Sequence, residues 1–487
     1  MTDNHHPTKL DSASSRVIIL LLISAFAVIL NETFMTVALP RLMRDLDITA
    51  STGQWLTTAF LLTMAVVIPV TGMLMNRFGV RKLYILAMSF FITGTAIGAA
   101  AIGFWMLVLA RIIQAFGTAI MMPLLMTTIM TLVPPMMRGR IMGRVTISMS
   151  VAPALGPAIS GLILSVLSWH WLFILMLPIA ITVTAIGVTQ IKSSAQTENN
   201  QPKIDLLSIL LTVVGFGGTV YGLNSIGEIP SGGSAARAVT VLAVGLLGLG
   251  AFIWRQKMLE RTNGALLDLR TFAVASFSRS VLLIAVSMMA FFGALLVIPI
   301  FSLEVLKLDT LAIGLMLLPG GLIEGLLGPP VGRLFDRFGA RPLLVLGTAL
   351  VASGFWGMSF FTEGSPVWLM TTLYIVLSIG LAFLFTPLFA VGLGGLPPQL
   401  YGYGSATFST AQQLAGAAGT TMFTMVLAIV GASMRSGGAS VVESYARGSA
   451  TAFLVGAVLS TIAFALAFTV KQDAHSREAG NPSPVSH

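Results

Sequence analysis

"GMLMNRFGVRK" (residues 72–82) and "GRLFDRFGARP" (residues 332–342) are two copies of one loop. Gly72, Arg77, Phe78, Gly79 and Arg81 recur as Gly332, Arg337, Phe338, Gly339 and Arg341 at a constant offset. Matches at fixed spacing mark an internally repeated architecture. Locally, Gly79 and Gly339 suit a tight turn between consecutive helices, and the arginines beside them can bond helix C-terminal carbonyls and nearby carboxylates.

What is repeated follows from composition. The chain has 487 residues, 56% hydrophobic and 9% charged, whereas a soluble surface needs about a quarter charged residues. The apolar residues fall in fourteen blocks, near 17–39, 54–75, 83–103, 105–133, 141–166, 171–191, 206–226, 236–257, 279–303, 310–333, 342–362, 366–394, 401–431 and 449–471. About 20 residues at 1.5 Å each cross the roughly 30 Å hydrocarbon layer as a helix, and barrel strands are about half as long. The chain is therefore an all-α polytopic membrane protein, expected to divide into a tail at 1–16, a six-helix bundle at 17–191, a linker with two extra membrane helices at 192–278, a second six-helix bundle at 279–471 and a tail at 472–487. The inserted pair carries one acid, Glu228, near an end, and is expected to be dispensable for the chemistry.

Residues 1–16 are polar and show no cleavable signal, so the N-terminus is expected to stay inside. There are no cysteines, hence no disulfides or thiolate metal sites. The net charge of +9 invites a nucleic-acid reading, but its placement decides otherwise. Most lysines and arginines fall on segments sharing the side of the N-terminus; Arg41, Arg44, Arg237, Lys307, Arg435 and Arg447 fall opposite, and Arg111 lies within a span. That asymmetry is a topology signal for a multi-pass cell-membrane protein with both termini cytoplasmic.

Further motifs sharpen the picture. "LNETFMTVALP" (30–40), "LARIIQAFG" (109–117), "APALGPAISG" (152–161) and "SWHWLFILMLPI" (168–179) occur in order along the first half. Together with the repeated loop they resemble the major facilitator superfamily, and within it the fourteen-span drug:proton antiporters. The resemblance implies the major facilitator fold, no cofactor besides protons as coupling ion, drugs or dyes as small-molecule partners, and a monomer in the lipid bilayer. It also implies that the arginine of the fourth span, here Arg111, takes part in proton coupling, and that the fifth span, with Gly156, Pro157 and Gly161, seals the pathway in one state. Asn76 stands where the first loop copy usually has Asp, while the second keeps Asp336, so gating contacts are expected to lean on the C-terminal copy. Gating residues are then Arg77, Gly79, Arg81, Gly156, Pro157, Gly161, Asp336, Arg337, Gly339 and Arg341.

An ionisable group near mid-membrane costs about 2.5 to 3.5 kcal/mol, so each one present marks a candidate site. Three qualify. Glu32 lies roughly 12 Å below the outer end of its span and Arg111 roughly 9 Å below the outer end of the fourth, so the two can pair if their helices face. Glu324, in "PGGLIEGLLGPP", lies roughly 13 Å from the inner end of the tenth span, without an evident partner in its own half. A carboxylate in a partly dehydrated cavity can exchange a proton or a cationic substrate at physiological pH. The alternatives are a silent Glu32 held by Asn31 or Thr33, an Arg111 stem that snorkels to the interface, and a Glu324 bonded to backbone freed by Pro319, Pro329 and Pro330. Substrate-binding candidates are Asn31, Glu32, Gln54, Trp55, Gln114, Met122, Glu324, Gln412 and Gln413, since pockets are mainly apolar with a few placed polar groups and flexible methionines suit varied ligands.

No G-x-x-x-x-G-K-[ST] loop occurs, no metal cluster is apparent, and His5, His6, His170, His475 and His487 lie outside the blocks. An ATP-driven pump, a metalloenzyme and a nucleic-acid binder are disfavoured. The sequence points instead to a non-enzymatic, proton-coupled exporter of lipophilic, often cationic drugs, with an exporter of one endogenous metabolite as the alternative. Topology is directly testable: a reporter fused after Lys471 is expected to be active in the cytoplasm and one between Ser231 and Ala235 outside, and the reverse pattern overturns this orientation.

Overall fold

A computed structural model describes residues 11–191, 205–229, 232–260 and 264–470, and among them the regular structure is helical throughout. Most of both tails, the first part of the linker, and His5, His6, His475 and His487 lie outside the described residues. The first bundle comprises α1 (Ser12–Asp45), α2 (Ala50–Ala99), α3 (Phe104–Leu132), α4 (Arg138–Val166), α5 (His170–Ile174) and α6 (Met176–Gln190). The inserted pair comprises α7 (Leu206–Thr212), a π-helical turn at Val213–Gly217, α8 (Gly218–Gly227) and α9 (Ala235–Glu260). The second bundle comprises α10 (Ala275–Glu304), α11 (Thr310–Phe338), α12 (Ala340–Ser359), α13 (Val367–Gly394), α14 (Tyr401–Ser436) and α15 (Val441–Ala467). Several helices start where a side chain can take an unpaired first-turn N–H: Thr49 accepts from Thr52, Asp309 from Ala312 and Ser440 from Glu443.

Thirteen helical segments among the described residues are long and apolar enough to cross a membrane. One of them belongs to α2, whose 50 residues would extend about 75 Å, more than twice the hydrocarbon thickness. It is broken at Gly79, with φ 70° and ψ 167°, so it supplies two spans and the total becomes fourteen. Gly339 takes nearly the same conformation, φ 78° and ψ −178°, between α11 and α12. This region is essentially reserved for glycine, which is why both loop copies keep one there. Arg81 Nη2 donates to Val188 O at 3.1 Å, in the last turn of α6, the carbonyl contact expected of that loop. Arg77 and Arg337 behave alike in the two copies, each lying over the next residue's ring, Phe78 at 5.6 Å and Phe338 at 5.1 Å.

Glycines zip the inserted pair together. A Cβ on Gly215 or Gly218 would press on the backbone at Gly248 or Gly245, and one on Gly222 on that of Leu242, a small-residue contact of the membrane type. At the end carrying the termini, Asp205 takes Arg255 on both oxygens, at 3.1 and 3.2 Å, and caps Ser208. The Arg255 guanidinium holds the Asp205 carboxyl below the usual carboxylate range. The pair is not an appendage. Trp55 of α2 stacks on Tyr221 of α8 with 6.0 Å between ring centres, and Thr421 Oγ1 of α14 donates to Leu223 O at 2.9 Å. Gln256 Oε1 accepts from Leu266 and Leu267 N–H, and both leucines bury beside Met73 of α2 and Tyr403 of α14. The pair thus touches both bundles along the line where α2 meets α14.

Gly79→Ala and Gly339→Ala are each expected to destabilise the protein by about 1 to 3 kcal/mol, lowering the thermal unfolding midpoint in detergent. Gly250→Ala, where an added Cβ meets nothing within 4 Å, is the control expected to melt like the parent chain.

Candidate functional site: buried charges and the seam between bundles

Arg111 sits on α3 with 1% of its surface exposed, so its stem does not snorkel. Nη1 donates to Gln114 Oε1 at 3.1 Å, Gln114 Nε2 donates to Thr95 Oγ1 at 3.0 Å, and Nε points at Leu56 O at 3.5 Å. The guanidinium also lies 4.0 Å over the Phe60 ring, where a desolvated cation gains from the ring quadrupole. Gln114 is therefore the residue that orients Arg111. Glu32, half-buried on α1, interacts with Arg111 electrostatically, but the two make no contact ion pair. The neighbouring Thr33 packs where α1 meets Gly156 of α4, so closely that a Cβ there would overlap it. Asn31 is buried beside Glu32 in sequence.

The second carboxylate lies between the bundles. Glu324 of α11, 6% exposed, accepts from Ser150 Oγ of α4 at 2.6 Å. Its partner thus comes from the other half of the molecule. The helices can approach this closely because glycine faces backbone along their shared length. Gly139 meets Gly332, Gly143 meets Gly328, and Gly321 and Gly325 lie against Ala154 and Val151. Thr146 and Thr386 hydroxyls add a 2.9 Å bond from α4 to α13. A carboxylate buried in such a seam is tolerable only with a donor at hand, and Ser150 is that donor.

At the end of the seam nearer the termini, Asp336 accepts from the backbone N–H of Gly139 on Oδ1 and of Arg140 on Oδ2, each at 3.0 Å. These N–H groups open α4, so the carboxylate also faces the positive end of that helix. The pseudo-equivalent position, Asn76, lies at the start of α14, where Gly72 meets Tyr403. One loop copy thus engages the opposite bundle with a charge and the other without. Arg138 Nη2 donates to Met130 O at 2.9 Å and to Tyr401 Oη at 3.3 Å, and Thr127 Oγ1 to Ser405 Oγ at 3.0 Å. Toward the opposite end the contact stops: an added Cβ on Gly161 or Gly314 meets nothing within 4 Å. In the "GPAISG" stretch, close packing therefore falls at Gly156 and not at Gly161, while Pro157 sits within α4.

Other sequence candidates are scattered. Gln54 is exposed at the start of α2, and Trp55 is engaged by the inserted pair. Gln412 Nε2 faces Met288 Sδ at 3.9 Å, while Gln413 and Met122 are half-buried. Arg341 lines a shallow recess between α12 and α15 with Phe464 and Phe468. Ser150, Arg138 and Tyr401 were not singled out by the sequence. The four-residue spacing of Gly139 with Gly143 and of Gly328 with Gly332 was the available signal.

A helical protein of two repeated bundles, with buried charges at and beside the plane between them, has the architecture of a transporter that works by moving one bundle against the other. Residues 21–420 match the family model described as Major Facilitator Superfamily, and the chain belongs to that family of transporters. It is 36% identical over 458 residues to the uncharacterized MFS-type transporter YcnB of Bacillus subtilis, covering 94% of this chain and 95% of that one. It is 35% identical over 446 residues to the lincomycin resistance protein LmrB of Listeria monocytogenes, covering 91% and 93%. Among solved structures, the human organic anion transporter MFSD10 superposes with a TM-score of 0.66 at 14% identity, over 92% of this chain and 99% of that one.

Asp336→Asn is expected to weaken the contact with α4 by about 1 to 2 kcal/mol, since a helix N-terminus and two backbone donors lose a charge. The chain has no cysteine, so a single Ile147→Cys, placed in the seam, reports its opening. Maleimide labelling there should rise roughly fivefold to thirtyfold in Asp336→Asn and fall when Asn76→Asp supplies the missing carboxylate.

Proposed function

We propose that this chain is a proton-driven exporter of lipophilic, often cationic, small molecules, of the fourteen-span antiporter type, in the cell membrane with its termini on the cytoplasmic side. The observation that carries this reading is Glu324, buried in the seam and held by Ser150 of the opposite bundle. Rocking the bundles apart on the side of the termini must break this hydrogen bond and uncover the carboxylate. A proton or cationic cargo that binds Glu324 differently in the sealed and parted states shifts the balance between them, and only such differential binding can do so. The names of relatives such as lincomycin resistance protein LmrB favour drugs as cargo.

Glu32 and Arg111 supply a second coupling element. A permanently charged guanidinium fixed by Gln114 and Phe60 gives Glu32 a choice between facing the cation as carboxylate and carrying a proton. One pKa unit corresponds to about 1.4 kcal/mol between protonation states, so a difference of two or three units between conformations matches a substantial proton gradient.

In liposomes, Glu32→Gln is expected to bind cargo but to lose proton-driven accumulation, because Gln keeps shape and hydrogen bonds while abolishing titration. Glu324→Gln is expected to change the preference for cationic over neutral cargo. The measurements are substrate-induced proton release and gradient-driven efflux over a panel of dyes and drugs. Intact proton release and transport in Glu32→Gln would make that carboxylate structural, and efflux confined to a single metabolite would replace the drug reading.

A further inference from the structure

On the side away from the termini, a recess of about 400 Å³ lies where the ends of α8, α10, α14 and α15 converge. Its lining includes the apolar side chains of Ile300, Leu303 and Leu427, and Glu304, Arg435 and Tyr445 stand at its edge toward the helix ends. Gly227 of the inserted pair completes the wall, and α8 is held there by the bond from Thr421 to Leu223.

The two rim charges are of opposite sign yet do not pair. Among the described residues Glu304 is in no ion pair or hydrogen bond through its carboxylate, and the same holds for the Arg435 guanidinium and the Tyr445 hydroxyl. Arg435 stands in the last turn of α14, where the helix carbonyls favour a cation. Glu304 is the last residue of α10, where the same carbonyls disfavour an anion. A carboxylate in that position is best satisfied by a cation from outside the chain. The recess runs along α14 from Thr424 to Arg435, eleven residues or about 16 Å. That is close to half the hydrocarbon thickness, the depth of one leaflet.

We propose that this recess binds one phospholipid with a primary-ammonium zwitterionic headgroup, drawn from the leaflet opposite the termini. Its ammonium meets Glu304, its phosphate meets Arg435 and the Tyr445 hydroxyl, and an acyl chain covers Ile300, Leu303 and Leu427. The inserted helices then have a concrete role, since without Gly227 and its surroundings the recess lacks a wall.

The test uses the purified full-length protein in dodecylmaltoside micelles doped with phosphatidylethanolamine, phosphatidylcholine or phosphatidylglycerol, with retained lipid counted by native mass spectrometry. The parent chain is expected to retain phosphatidylethanolamine in preference to the other two. Glu304→Gln should weaken that retention about tenfold and erase the preference over phosphatidylglycerol, as befits the loss of one charge-assisted hydrogen bond. Arg435→Gln should weaken retention of phosphatidylethanolamine and phosphatidylcholine alike. Glu304→Asp and Arg435→Lys keep the charges and should keep the preference, which separates lost recognition from lost folding. Identical lipid retention in the parent, Glu304→Gln and Arg435→Gln overturns the proposal. So does displacement of the lipid by ethidium through a site that Glu304→Gln abolishes, which would assign the recess to cargo.

Discussion

Backbone meets backbone where Gly143 of α4 crosses Gly328 of α11, and the rest of the arrangement depends on that closeness. With any side chain at either position the two helices stand further apart, and Ser150 no longer reaches Glu324. Close approach of the helices thus makes it possible to bury a carboxylate between two halves that must separate. Hydrocarbon on both sides supplies no hydrophobic drive for helix association, so small residues and interhelical hydrogen bonds carry it. Both are present in this seam, and both are weak enough individually to part.

The internal repeat explains the symmetry of the design and also locates where it fails. Each loop copy turns on a glycine in a conformation other residues avoid, sets an arginine over the following phenylalanine, and places its fifth residue at the N-terminus of a helix in the other bundle. At that fifth residue the copies differ in charge, Asp336 against Asn76. The charged contact holds α4 while the neutral one faces α14, the helix that the inserted pair also grips through Leu223. Where the loop lacks its charge, other packing has taken over part of the joining.

Much of this was legible in the sequence because the bilayer imposes length and polarity on every segment. The fourteen blocks, the turns at Gly79 and Gly339, and the unusual depth of Glu32, Arg111 and Glu324 follow from position along single helices. Partners across helices do not. Ser150 reaches Glu324 from a segment 174 residues away, and apolar segments in a bilayer lack the one-sided polarity that would reveal which faces meet. Trp55 shows the same gap: nothing in its segment reveals that its ring stacks on Tyr221 of the inserted pair. The break in α2 shows in the sequence as the polar stretch between the blocks at 54–75 and 83–103, and the twin of its loop marks the same place.

Asp336 binds main-chain groups, and this has a consequence for how the protein can change over generations. At position 140 every amino acid except proline presents the same N–H, so substitutions there leave the acceptor satisfied. At position 139 even a single Cβ would crowd Asp336, Phe335 and the Gly332 carbonyl, so that glycine is fixed by close approach. On the α4 side, then, packing constrains position 139 and only position 140 is open to change. Variants selected for altered transport should alter Asp336 itself or the helix that carries it, leaving position 140 free to drift and Gly139 unchanged.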